Sequence, residues 1–115
     1  MCTSSELVKI NQKVIELYNK ICGDSLDRIY LYGSYARGDN NSQSDIDYAA
    51  IMHGSREDVQ KYLKPLWEAV DDIDIEYAVI VSPTIIPYDD FYGMQDVLPY
   101  YRNIMKEGVL LSGNK

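Results

Sequence analysis

The chain has 115 residues, 46% hydrophobic and 25% charged, with a formal net charge of −7. That size suits a single domain over residues 1–115, able to bury a core without disulfides or metals as staples. The acid excess excludes a large sequence-independent contact with nucleic acid, which needs lysine and arginine to displace counterions. It leaves room for a nucleotide whose phosphates are neutralised by a metal and by backbone N–H groups.

No apolar run reaches membrane-spanning length, and the polar N-terminus does not read as a signal peptide. Cys2 and Cys22 lack metal-ligand spacing, so reduced thiols and a cytoplasmic location are expected. Eleven tyrosines stand against one Phe and one Trp, which suits either a partner interface or a core where Tyr replaces Phe.

Thr3 and Glu6 have capping-box spacing, and Leu7, Ile10, Val14, Leu17, Tyr18 and Ile21 recur at helical intervals, predicting a helix over 5–22 that Gly23 stops. Residues 28–32 read as a strand ending at Gly33, followed by one helical turn over 34–37 and a polar loop over 39–44. Residues 45–52 read as a second strand. Ser55 and Asp58 start a helix with Val59, Tyr62, Leu63, Leu66, Trp67 and Val70 as its apolar, core-packing face, split or kinked at Pro65. Residues 73–81 alternate as a third strand, ended by Ser82-Pro83, with Pro87 holding the next stretch extended. A short helix over 91–97, a last helix from Pro99 through Lys106 stopped by Gly108, and a short edge strand over 109–111 complete the reading. The order predicts a small α/β or α+β domain with helices packed mainly on one face of a mixed sheet.

The chemistry concentrates between the first two strands. Gly33 lets backbone approach a phosphate closely, and Ser34 opens a helical turn whose first N–H groups make an anion site. Asp45 and Asp47 lie two apart on a strand, so both carboxylates share one face and repel unless a hard cation sits between them; Mg²⁺ takes such oxygen ligands together with substrate phosphates. Either feature alone is common, and Asp72/Asp74 and Asp74/Glu76 have the same spacing; the proximity of the Gly-Ser turn to the Asp pair is what raises the signal. Arg37 is placed to touch a phosphate or to pair with Asp39. Arg102 and Lys106 suit either a triphosphate or a helix C-terminus, and His53 reads as a loop residue.

Gly33-Ser34, ten residues, then Asp45-Ile46-Asp47 resembles the signature of the DNA polymerase β-like nucleotidyltransferase superfamily. Gly33-Ser34-Tyr35-Ala36-Arg37-Gly38, Ser44-Asp45-Ile46-Asp47 and the stretch from Asp96 to Val109 are similar to its minimal nucleotidyltransferase branch, which includes antitoxins. The resemblance covers residues 26–111 and implies that fold, with Gly33 and Ser34 on the β- and γ-phosphates of ATP or another NTP and Asp45 and Asp47 on two Mg²⁺ ions. It also implies a third carboxylate on a later strand. Either Asp74 or Glu76 fills that role, with Glu76 favoured for its reach, or the role is empty.

Three functions follow from the resemblance. The first is AMP transfer to a tyrosine of a small helical HEPN-domain toxin, with homo- or hetero-oligomers possible. The second is neutralisation of a partner by contact alone, if the third carboxylate is missing. The third is transfer to a small molecule such as an aminoglycoside, which usually needs a second domain.

Overall fold

The computed structural model describes residues 3–41 and 43–113; Cys2 and Ser42 lie outside them. Four strands form one mixed sheet in the order β3-β2-β1-β4, where β1 is Leu26–Tyr32, β2 Ile46–Met52, β3 Val81–Pro87 and β4 Val109–Gly113. β1 runs antiparallel to β2 and β4, whereas β2 and β3 are parallel and need a helical crossover between them. α1 (Ser4–Cys22) precedes the sheet and α2 (Ser34–Arg37) follows β1. The crossover comprises α3 (Arg56–Gln60), α4 (Leu63–Ala69) and α5 (Asp71–Tyr77), and α6 (Tyr88–Gly93) and α7 (Pro99–Glu107) follow β3.

Local chemistry explains several boundaries. Thr3 and Glu6 close a reciprocal capping box on α1, and Ser55 and Asp58 do the same on α3. Pro65 falls in the first turn of α4, where its missing N–H costs least, so the apolar run divides between Gln60 and Leu63. Trp67 points outward at 47% exposure instead of packing in the core face, because Leu66 and Val70 already occupy the inward positions; Tyr62 does pack against the core.

Residues 73–80 are not a strand, and only Val81 of the expected segment belongs to one. Residues 71–77 form α5, which buries Ile73 and packs Tyr77 against the core while leaving Ile75 81% exposed. Val70, Ile73 and Tyr77 thus supply a helical stripe, and three aspartates in the first turn of α5 favour its dipole. The third strand lies further on, over the segment whose prolines argued against one. β3 is an edge strand, where Pro83 is tolerated, and Pro87 ends it as the N-cap of α6.

The sheet separates two cores. On one face, Ile10, Val14 and Tyr18 of α1 meet Ile46, Tyr48, Ala50 and Met52 of β2, with Leu66, Val70 and Ile73 from the crossover. Tyr18 is fully buried; its hydroxyl donates to the Thr84 carbonyl at 2.9 Å and accepts from the Thr84 N–H at 3.1 Å, satisfying part of the β3 edge. On the opposite face, Tyr30, Ala49, Ile51 and Ile86 pack beneath Phe91 of α6 and Ile104 of α7.

Candidate active site

Strand alternation places Asp47 on the second face, in register with Tyr32 of β1 and Ser82 of β3. β1 ends at Tyr32, and Gly33 turns the chain with φ +76°, a region in which L side chains are strained. The Gly33 carbonyl then accepts from the N–H groups of Ala36 and Arg37, starting α2 at Ser34. Sterics fix the glycine as well: a Cβ there would stand 2.5 Å from Oδ2 of Asp47. The Gly-Ser bend and the second aspartate are therefore in direct apposition. Asp45 lies one residue before β2, is exposed, and raises the pKa of Asp47 by its charge.

The Asp47 carboxyl titrates above the usual range, chiefly through burial and then through Asp45, with Arg37 opposing both. Arg37 contacts Asp39 at 3.2 Å and Glu107 of α7 at 3.9 Å. A cavity of about 210 Å³ opens beside it, lined by Tyr32, Gly33, Arg37, Tyr100, Asn103 and Glu107. The hydroxyls of Tyr32 and Tyr100 meet at 2.8 Å with their rings edge to face at 5.8 Å, and burial together with the Asp47 charge raises both phenol pKa values.

Asp74 and Glu76 do not join this constellation through a shared strand, because both belong to α5. Glu76 is paired with Lys13 of α1 at 2.9 Å on the other side of the sheet. The Asp74 carboxylate accepts the Val81 N–H at 2.8 Å and so holds the start of β3; burial raises its pKa, and Asp45 adds a smaller effect. It also lines a separate cavity of about 420 Å³ with Tyr35, Gln43, Ser44, Ala78, Val79 and Ile80. β3 itself carries hydroxyls rather than acids beside Asp47, namely Ser82 and, further along, Thr84. Among the described residues no group of three or more His, Cys, Asp or Glu is arranged to hold a metal.

On α7, Tyr100, Asn103 and Glu107 face the cavity, while the exposed Arg102 and Lys106 line neither cavity. The sequence leaves Arg102 and Lys106 open between a triphosphate and the helix C-terminus; the cavity face, at spacings of three and four residues from Tyr100, was not singled out. His53 stands at the opposite end of β2, 3.5 Å from Asp27 and stacked on Tyr88 at 4.5 Å between ring centroids.

Residues 7–111 match the family model of the nucleotidyltransferase domain. The chain belongs to that family. Its Gly-Ser bend and aspartate pair lie within the matched span, and the protein is a nucleotidyltransferase. The "Putative protein adenylyltransferase MJ0141" of Methanocaldococcus jannaschii is 30% identical over 82 residues, covering 70% of this chain and 79% of that protein. Among solved structures, a toxin–antitoxin complex with AMP-PNP aligns with a TM-score of 0.58 at 21% identity, covering 91% of this chain and 74% of the other. A mutant of the MntA–HpeT toxin–antitoxin aligns with a TM-score of 0.58 at 19% identity, covering 91% and 74%. These likenesses establish a shared fold. No helix among the described residues of this nucleotidyltransferase is long and apolar enough to cross a membrane.

Proposed function

We propose that this nucleotidyltransferase moves AMP from ATP to a tyrosyl hydroxyl on a partner protein, and that the partner is a HEPN-type toxin for which this chain is the antitoxin. One observation carries the catalytic part: Gly33 stands so close to Oδ2 of Asp47 that no side chain fits between the bend and the carboxylate. The relatives support the choice of group and partner, since one is named for protein adenylyltransfer and another was solved as a toxin–antitoxin complex with AMP-PNP.

The donor set fits magnesium. Asp45 and Asp47 offer only hard oxygen ligands, and Asp47 is a half-buried carboxylate destabilised by its acidic neighbour, a situation a divalent cation relieves. Bound there with the triphosphate, Mg²⁺ would supply charge neutralisation and lower the pKa of the attacking hydroxyl. The chain's own residues bind and orient. Backbone at Gly33 and Ser34 receives the β- and γ-phosphates. Arg37 turns from Asp39 and Glu107 toward phosphate oxygens, where its guanidinium can donate two parallel hydrogen bonds. Positioning and charge supply most of the rate, as in phosphoryl transfer generally.

A second reading has one observation in its favour. With hydroxyls rather than an acid on β3 beside Asp47, the chain has the fold but a reduced catalytic set, which suits neutralisation of a partner by contact. Incubation with Mg²⁺, α-labelled ATP and either the partner or cell extract, beside Asp45→Asn/Asp47→Asn, separates the two. Label on a protein with the wild type alone supports transfer. Nucleotide binding without label supports the contact reading.

A further inference from the structure

The eleven tyrosines occupy distinct places. Tyr18, Tyr30, Tyr35 and Tyr48 are buried, and Tyr62 and Tyr77 pack against the α1 face. Tyr88, Tyr92 and Tyr101 gather around Phe91 and Tyr30 on the other face. Tyr32 and Tyr100 remain, and both line the cavity that holds Gly33 and Arg37. Tyr32 is the cross-strand partner of Asp47, and its hydroxyl is 2.8 Å from that of Tyr100. The charge of Asp47 is felt at both phenols. Tyr100 is the open member of the pair, 46% exposed, in the first turn of α7 behind Pro99. A phenolic hydroxyl thus stands beside the proposed phosphate and cation site with one side toward water.

We propose, building on the nucleotidyltransferase reading above, that Tyr100 is a self-modification site to which the chain transfers AMP from ATP. In that step the Tyr100 Oη forms a bond to the α-phosphorus. The bond from that phosphorus to the pyrophosphate oxygen breaks, pyrophosphate leaves with the electron pair, and the phenolic proton departs to water on the open side of the ring. The product is a tyrosyl-AMP phosphodiester in the mouth of the cavity. It leaves a bulky anion where a partner's tyrosine would approach, so the modified chain is a poorer donor to outside acceptors. In a protein that modifies itself, occupancy of Tyr100 records the time spent with ATP and without partner.

Intact-mass measurement of the full chain after incubation with ATP and Mg²⁺, followed by peptide mapping, tests this directly. The expected result is an adduct of one AMP on the Tyr100 peptide, absent in Tyr100→Phe and in Asp45→Asn/Asp47→Asn. Mapping of the wild type needs no variant to fold, and Tyr100→Phe keeps the ring and removes only the hydroxyl. An adduct on another residue overturns the assignment. A preparation that binds ATP or labels a protein in extract, yet gains no AMP itself, overturns self-modification and leaves the nucleotidyltransferase reading intact. Failure to bind ATP at all overturns both.

Discussion

On the face covered by α1 and the crossover helices, every inward position of β2 from Ile46 to Met52 is fully buried, and the hydroxyls of the fully buried Tyr18 and Tyr48 are hydrogen-bonded. On the opposite face β2 begins with Asp47, half-buried and beside a cavity, and only then continues with the buried Ala49 and Ile51. The same strand therefore packs through all its even positions and carries Asp47, the carboxylate proposed to act in transfer, at its first odd one. Stability and chemistry are separated by the period-two alternation of the strand. On the second face the charge stands at the end of the strand, where Asp47 is only half-buried next to the cavity under α7, while Ala49 and Ile51 are sealed around Phe91 and Ile104. Substitutions on the two faces should accordingly have opposite signatures.

The largest effect belongs to the open face. Asp47→Asn should lower AMP transfer by at least about 10²-fold, the scale seen when a preorganised electrostatic partner is lost, without lowering Tm. Thermal unfolding of the same variant sharpens the point. The Asp47 carboxyl titrates above its unfolded value, so just above the ordinary carboxylate range the native state keeps a proton that the unfolded chain has lost. Native stability then falls as pH rises through that window, and Asp47→Asn should reduce the fall, leaving the part that Asp74 contributes through its own raised pKa. With the wild type, Mg²⁺ and ATP together should raise Tm, because a ligand that binds only the native state stabilises it.

The packed face should answer in the other way. Ile10→Ala, at a fully buried position, should cost about 2–5 kcal/mol in chemical denaturation. Activity per folded molecule should survive. Loss of transfer in the folded fraction would break the comparison by showing that the two faces are coupled.

Smaller effects separate Asp74 from Asp47. Asp74→Ala removes the acceptor for the Val81 N–H and should cost about 1–2 kcal/mol, with transfer retained at temperatures where the variant is folded. A loss of transfer matching that of Asp47→Asn would return Asp74 to the catalytic set. Glu76→Gln breaks only the exposed pair with Lys13, and neither Tm nor transfer should move measurably.

Where the sequence was informative, the signal was local. Thr3 and Glu6, or Ser55 and Asp58, close their caps within one turn, and Gly33-Ser34 marks a bend that needs positive φ whatever surrounds it. The stretch from Ile73 to Val81 was misread because Asp, Glu and Ile alternate there with period two, which also serves a short helix that buries Ile73 and Tyr77 and leaves Ile75 in water. β3 was hidden for the converse reason: Pro83 and Pro87 argue against a central strand, and nothing local announces an edge. The approach of Tyr100 to Tyr32 spans 68 residues of sequence and depends on α7 returning over the sheet, so no motif could have shown it. The aspartate pair was legible, but the surroundings that decide its competence, Ser82 on one side and Tyr32 on the other, required the register of three strands.

The most direct measurement is a crystal structure of the chain with Mg²⁺ and a non-hydrolysable ATP analogue. The expected density places the cation against the carboxylates of both Asp45 and Asp47, with the terminal phosphates over the backbone of Gly33 and Ser34. Nucleotide seated in the cavity of Gln43, Ser44 and Asp74, or a cation bound away from the aspartate pair, would contradict the account.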